Sequence, residues 1–145
     1  MNTKHLIINL TIFTAILFTP LIGNSGTKYL QNGNGIVIDT TTSLLWQQGF
    51  SLGHDWDSAA DYCKQITLGG HSDWRLPTLK ELGSIVDPGK RNPAIDSRSF
   101  NASSDRYWTS SIEGSTEAWL VFFDSGLSGY DLKSRNQSVR CVRNK

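Results

Sequence analysis

Cys63 and Cys141 are the only two cysteines in a chain of 145 residues. Cys63 sits in a helix-patterned stretch and Cys141 in the closing apolar segment. In an oxidising compartment the default for such a pair is one structural disulfide. Redox catalysis is the lesser reading, because thiols buried in apolar segments are inert. The remaining chemistry-bearing residues assemble no catalytic set. His54 and His71 have no metal-ligand spacing with a Cys or another His. No G-x-S-x-G nucleophile elbow occurs, and Thr109, Ser110 and Ser111 read as sheet and turn partners. Gly33-Asn34-Gly35 leads into a strand rather than a helix, so it cradles no phosphate. Asp124, Ser125, Gly126, Ser128 and Asp131 miss the EF-hand spacing and read as a solvated turn. No catalytic residue, metal or cofactor is therefore assigned.

The cations are more informative. Lys90, Arg91, Arg98 and Arg106 fall in one irregular stretch, and Lys133 and Arg135 in a second. If the two regions adjoin, six cations gather around Tyr130. Guanidinium groups suit bidentate contact with sulfate or carboxylate. The competing reading is local neutralisation by Asp87, Asp96, Asp105 and Asp131. Arg75, Arg140 and Arg143 stand apart and read as structural arginines, satisfied by backbone carbonyls or a carboxylate.

Composition narrows the classes. Lys4 and His5 open the chain, Leu6 to Phe18 is uncharged and apolar or small, and Pro20 and Gly23 to Gly26 follow. This is the order of a secretory signal over residues 1–25, with residues 26–145 as the mature domain. An uncleaved anchor is the alternative, although the apolar run is short of the roughly 20 residues a span needs. No second long apolar run exists, so no stable membrane insertion is expected after cleavage. Of the 14 basic residues only Lys4 lies in the leader, which leaves the mature basic and acidic residues in balance. That balance argues against nucleic-acid binding, which requires a strongly basic face. The five tryptophans read mainly as core; stacking on a carbohydrate is the alternative for one or two of them. The glycines show no triplet period, so no collagen stalk is expected.

The elements that must position these residues follow from patterning. Ile36 to Ile38 and Leu44 to Trp46, joined by Asp39 to Ser43, form a hairpin. Asp55 caps a first helix whose face is Trp56, Ala59, Ala60, Cys63 and Ile66, ended by Gly69-Gly70. Thr78 and Glu81 form a capping box for a second helix with Leu79, Leu82, Ile85 and Val86 on its inner face. Asp87-Pro88-Gly89 stops it. Residues 87–106 form a long loop anchored only by Ile95 and Phe100; loops of that length are often functional. Strands are expected at Tyr107 to Ser110, Ala118 to Phe123 and Ser138 to Arg143, with turns at Glu113 to Ser115 and Gly126 to Tyr130. Helices segregated from a run of strands indicate an α+β fold. The Cys63–Cys141 bridge then ties the first helix to the last strand.

LLWQQ (44–48), DYCK (61–64), GGHSDWRLPTLKEL (69–82), YWTSS (107–111), AWLVFFDSG (118–126) and VRCVR (139–143) together resemble the Lcl C-terminal domain family. The RLPT-plus-helix element is also similar to that of formylglycine-generating-enzyme relatives. Both resemblances imply a C-type-lectin-like fold, and the helix-to-last-strand disulfide fits it. The family's name-giving member is a collagen-like adhesin whose terminal domain binds sulfated glycosaminoglycans. The resemblance thus implies a bacterial secreted, cell-surface or periplasmic binding module for a polyanionic glycan or a surface protein, in which oligomers are an option. EPN, QPD and WND triplets are absent, so calcium-dependent sugar binding is not implied. A structural subunit of a surface complex is the second reading. A formylglycine-type oxidase, which needs reactive thiols, is the third.

Overall fold

The computed structural model describes residues 26–145. The expected signal sequence over residues 1–25 lies outside the described residues.

The fold is α+β, with two helices and two sheets. The first sheet is built from β1 (Tyr29–Gln31), β2 (Ile36–Asp39), β3 (Leu44–Gln47) and β9 (Val142–Asn144), in that spatial order and wholly antiparallel. The second contains β4 (Ser51–His54), β5 (Arg106–Glu113), β6 (Glu117–Phe122), β7 (Leu127–Leu132) and β8 (Gln137–Val139). Its order is β4-β8-β5-β6-β7. One contact departs from the antiparallel expectation: β8 runs parallel to β5, with Tyr107 against Ser138.

Helix α1 (Trp56–Gln65) starts where expected, with the Asp55 carboxylate accepting from the Ser58 N–H at 2.8 Å. It stops at Gln65, and Ile66 is already extended. Helix α2 (Leu79–Ser84) has both halves of the capping box. It is shorter than its apolar pattern suggests. Gly83 is a poor helix former, and the Ser84 hydroxyl donates back to the Glu81 carbonyl at 2.6 Å, a bond that competes with helix continuation. Ile85 ends the helix yet remains buried.

The second sheet is covered on both faces, which explains why β6 reads as a continuous apolar run. Ala118 and Leu120 join Ala59, Cys63, Trp74, Trp108, Val139 and Cys141 on the α1 side. Val121 joins Leu82, Ile85, Ile95, Phe100, Tyr107 and Trp46 on the α2 side. The loop anchors Ile95 and Phe100 are both buried, and no helix or strand lies between Ile85 and Arg106. Three of the five tryptophans (Trp46, Trp74 and Trp108) are buried, while Trp56 and Trp119 are half-buried.

Three expectations need correction. The turn placed at Gly126 to Tyr130 comes earlier, and residues from Leu127 on are strand. Gly126 closes that turn at φ +77°, a conformation that side chains disfavour. Gly129 is a strand residue whose missing side chain makes room for the Phe122 ring, 2.7 Å from where a Cβ would stand. The closing strand is two strands, β8 in one sheet and β9 in the other, with Arg140 and Cys141 at the joint. Two short strands, β1 and β4, arise from segments too polar to signal themselves.

The disulfide joins Cys63 on α1 to Cys141, directly before β9, with Cα atoms 5.5 Å apart. Both cysteines are fully buried. The structural arginines are placed as their segments suggested. Arg75 makes a two-pronged contact with Glu81, at 2.8 and 2.9 Å. Arg143 grips Asp73 in the same way, at 2.7 and 3.0 Å. Arg140 is buried and donates to three backbone carbonyls, of Gln47, Gln48 and Asn101. Burial lowers its guanidinium pKa to about 10.

Candidate functional site

The seven residues singled out for ligand binding do not converge on one point. Strand β5 begins at Arg106, and the β7–β8 connection carries Lys133 and Arg135. Because β8 lies beside β5, this connection returns over the start of β5 and brings Arg135 to Arg106. The two arginines line one open depression with Asp131, Ser134, Asn136 and Gln137. Arg106, Asn136 and Gln137 also border an adjoining depression with Asp105, Asp124 and Ser138. The result is a continuous polar trough, rich in amide and hydroxyl groups. The Arg106 guanidinium lies 5.2 Å over the Phe122 ring, which fixes its plane. Neither arginine forms an ion pair among the described residues. Asp131 is occupied by Gln137 at 2.9 Å and by the Leu132 N–H at 2.8 Å. Asp105 accepts from Ser103 and Ser138.

Lys133 adjoins this region but is committed elsewhere. Its ammonium sits 4.7 Å over the Trp56 ring and donates to the Ser115 carbonyl at 3.1 Å. Trp56 is in turn held by its indole N–H on the Thr109 carbonyl at 2.8 Å.

Tyr130 stands on the other face of the sheet. Register pairs Arg106 with Phe122 and Phe122 with Leu127. Alternation along β7 then turns Tyr130 away from Arg106. It packs edge-on against Trp119, with ring centres 5.5 Å apart.

Two of the loop cations, Lys90 and Arg98, are neutralised by the interleaved Asp87 and Asp96. Lys90 meets both Asp87 and Asp96, at 3.4 and 3.3 Å, and Arg98 binds Asp96 at 3.0 Å. The Arg98 guanidinium, with help from Lys90, holds the Asp96 carboxyl at a pKa of about 2. Arg91 donates to the Ser125 carbonyl on the β6–β7 turn.

Two features escaped the residue-by-residue reading. Asn136 and Gln137 sit at the centre of the trough; the polar run from Ser134 to Gln137 between two strands was their only signal. Lys28, in a segment that reads as a lead-in, lies 4.9 Å over the Tyr29 ring and donates to the Ser84 carbonyl at 2.9 Å. With Tyr29, Asp87, Asp96 and Arg98 it borders a further depression between β1 and the long loop. Burial raises the Tyr29 phenol pKa.

Among the described residues, no group of three or more His, Cys, Asp or Glu side chains is arranged to hold a metal ion. No helix there is long and apolar enough to cross a membrane. The two sulfurs that an oxidase would use are bonded to each other.

An α+β domain of this topology, bridged from its first helix to its closing segment, is the architecture the motif order implied. The family model for the Lcl C-terminal domain matches residues 35–143, and the chain belongs to that family. No curated protein matches it.

Proposed function

We propose that this domain is an exported bacterial binding module, without catalytic activity, whose ligand is a polyanionic, sulfated glycan at a surface. The observation that carries the reading is the meeting of Arg106 and Arg135. They are far apart in sequence, share one trough, and hold no carboxylate among the described residues. Guanidinium forks match the planar oxygens of sulfate and carboxylate, and the flanking Ser134, Asn136 and Gln137 offer donors and acceptors to sugar hydroxyls. A single exposed contact adds only about 0 to 1 kcal/mol. Useful affinity therefore comes from both arginines acting on neighbouring groups of one chain, or from avidity between copies.

Heparin serves as the probe. The purified protein is expected to be retained on immobilised heparin at low salt and released as salt rises, and the paired change Arg106→Ala with Arg135→Ala is expected to abolish retention. No retention at low salt, or unchanged retention in the double variant, refutes the reading.

A further inference from the structure

Strand β7 is the outer strand of its sheet and pairs, among the described residues, with β6 alone. Its bonding phase follows from one contact. The Lys133 N–H donates to the Thr116 carbonyl at 2.9 Å, one step beyond the Glu117–Leu132 pair. Bonded and non-bonded pairs alternate in an antiparallel ladder. Leu127, Gly129 and Asp131 therefore bond inward to β6, and Ser128, Tyr130 and Leu132 turn their N–H and C=O groups outward. Those of Leu132 are used locally, by the Asp131 carboxylate and the Arg135 N–H. Ser128 and Tyr130 keep an open backbone edge, and both residues are exposed.

Around Ser128 and Tyr130 the edge is little blunted: β7 contains no Pro or Lys, its register is unbroken, and its one charged residue, Asp131, bonds inward to β6. On the face that carries the Ser128 and Tyr130 side chains, a groove runs between α2 and the strand. Leu79, Gly83, Val86, Pro88 and Val121 line it together with Ser128. Charge differs between its two ends. At the Gly126 end, an Arg91 guanidinium nitrogen lies 3.8 Å from where a Cβ on Gly126 would stand. At the far end Glu113 and Glu117 pair across β5 and β6, on the side of Trp119, whose indole N–H donates to Glu113 at 3.0 Å. Asp124 and Lys133 belong to the opposite face, where Asp124 borders the polar trough and Lys133 covers Trp56.

We propose that the β7 edge receives an extended segment of a partner protein as an added antiparallel strand. An apolar side chain enters the α2 groove. Antiparallel pairing turns the C-terminal side of the segment toward Arg91 and its N-terminal side toward the end of the sheet that carries Glu117 on β6 and, one strand further in, Glu113. The segment is therefore acidic or ends in a free carboxylate at one end and is basic at the other. Main-chain bonds to Ser128 and Tyr130 supply affinity, and the groove and end charges supply selectivity.

The test titrates the 15N-labelled protein with the peptide Arg-Thr-Val-Thr-Val-Thr-Val-Asp, C-terminal carboxylate free. Shift changes are expected at Ser128, Tyr130 and Gly83, and a charge-reversed, amidated peptide is expected to bind about fivefold more weakly. Ser128→Pro removes an N–H that β6 does not use, so an edge strand tolerates it. It is expected to weaken binding about tenfold through the lost main-chain bond. A second arm leaves the protein unaltered. N-methylation of the peptide amides that face β7 should abolish binding, and methylation of the alternate amides should spare it. Equal binding of all these peptides, shifts centred elsewhere, or no shifts at millimolar peptide overturns the proposal. So does a concentration-dependent dimer formed without peptide and lost in Ser128→Pro, which assigns the edge to a second copy of the chain.

Discussion

The guanidinium of Arg140 donates to the carbonyl of Asn101 at 2.6 Å, joining the end of the long loop to the segment that links the two sheets. The same group holds the Gln47 and Gln48 carbonyls at 2.8 and 2.7 Å and lies over the Phe100 ring at 5.0 Å. A buried cation here replaces a hydrogen-bonded ladder. Three carbonyls from two distant segments meet here and one planar donor reaches all of them, with that of Gln48 also accepting the Asn101 N–H at 3.0 Å.

Removing that donor takes the guanidinium from the Gln47 and Asn101 carbonyls and leaves that of Gln48 with the Asn101 N–H alone, at 3.0 Å. Arg140→Met is expected to destabilise the domain by about 3 kcal/mol, the cost of the lost donors offset in part by removal of a buried charge. Arg140→Lys is expected to recover little, since a point charge cannot span the three acceptors. Urea unfolding followed by tryptophan fluorescence reads both. A change below about 0.5 kcal/mol in Arg140→Met, within the range of an ordinary surface substitution, contradicts this role.

The disulfide closes a loop with a sequence separation of 78. Chain entropy alone assigns about 4 to 5 kcal/mol to a closure of that length. The paired change Cys63→Ala with Cys141→Ala is expected to lower the urea midpoint strongly and to make stability insensitive to reductant. Because the two sulfurs are bonded to each other, the unreduced protein is expected to show no thiol reactive toward a disulfide reagent, either native or unfolded in urea. One rapidly reacting thiol in the untreated protein argues against the bridge.

Acid sensitivity follows from two carboxylates. Arg75, with the Thr78 backbone N–H, holds Glu81 at a pKa of about 2 against an ordinary 4.5. Asp96 lies at about 2 against an ordinary 3.8. Both are depressed on folding, so the stability they contribute is complete above the unfolded pKa values and is lost as pH falls from about 4.5 to 2. Glu81→Gln is expected to flatten the acid limb of stability against pH and to leave the limb above pH 6 parallel to the parent. An acid limb identical in parent and variant means Glu81 is not one of the groups that titrate on acid unfolding.

The neutralised loop cations supply a control for the glycan reading. Arg98→Ala removes a charge already paired with Asp96, so its effect on heparin retention is expected to be small. Arg106→Ala alone is expected to shift elution to clearly lower salt. A larger effect from Arg98 than from Arg106 relocates the site to the depression beside Lys28 and Tyr29.

Much of the architecture is legible in residues whose pattern is local. The Thr78–Glu81 capping box, the Asp55 cap and the apolar spacing from Trp56 to Cys63 define both helices, because caps and helical faces are satisfied within a few residues. The two-cysteine count and the apolar setting of each cysteine led to the bridge. What the pattern hid is non-local. Ser138 to Arg143 reads as one strand, and only tertiary pairing divides it. Gly126 to Tyr130 reads as a turn because its two glycines carry turn chemistry, yet residues from Leu127 on are strand and the Phe122 ring needs the space that Gly129 leaves. The cations were identifiable by type, but their grouping depends on which carboxylates fold beside them. Asp96 claims Arg98 and Lys90, whereas Asp131 and Asp105 are taken by Gln137, Ser103 and Ser138, and that difference leaves Arg106 and Arg135 unpaired.

The division of the closing segment bears on how the domain is made. Gln137–Val139 fills a gap between β4 and β5, Val142–Asn144 completes the other sheet, and a sulfur of the covalent bridge lies between them. Neither layer can therefore be completed before the segment from Gln137 to Asn144 is in place. Until then the core tryptophans lack part of their cover, so the domain cannot close stepwise from its N-terminal side. Premature termination upstream of Gln137 should yield an insoluble or degraded product rather than a smaller folded one.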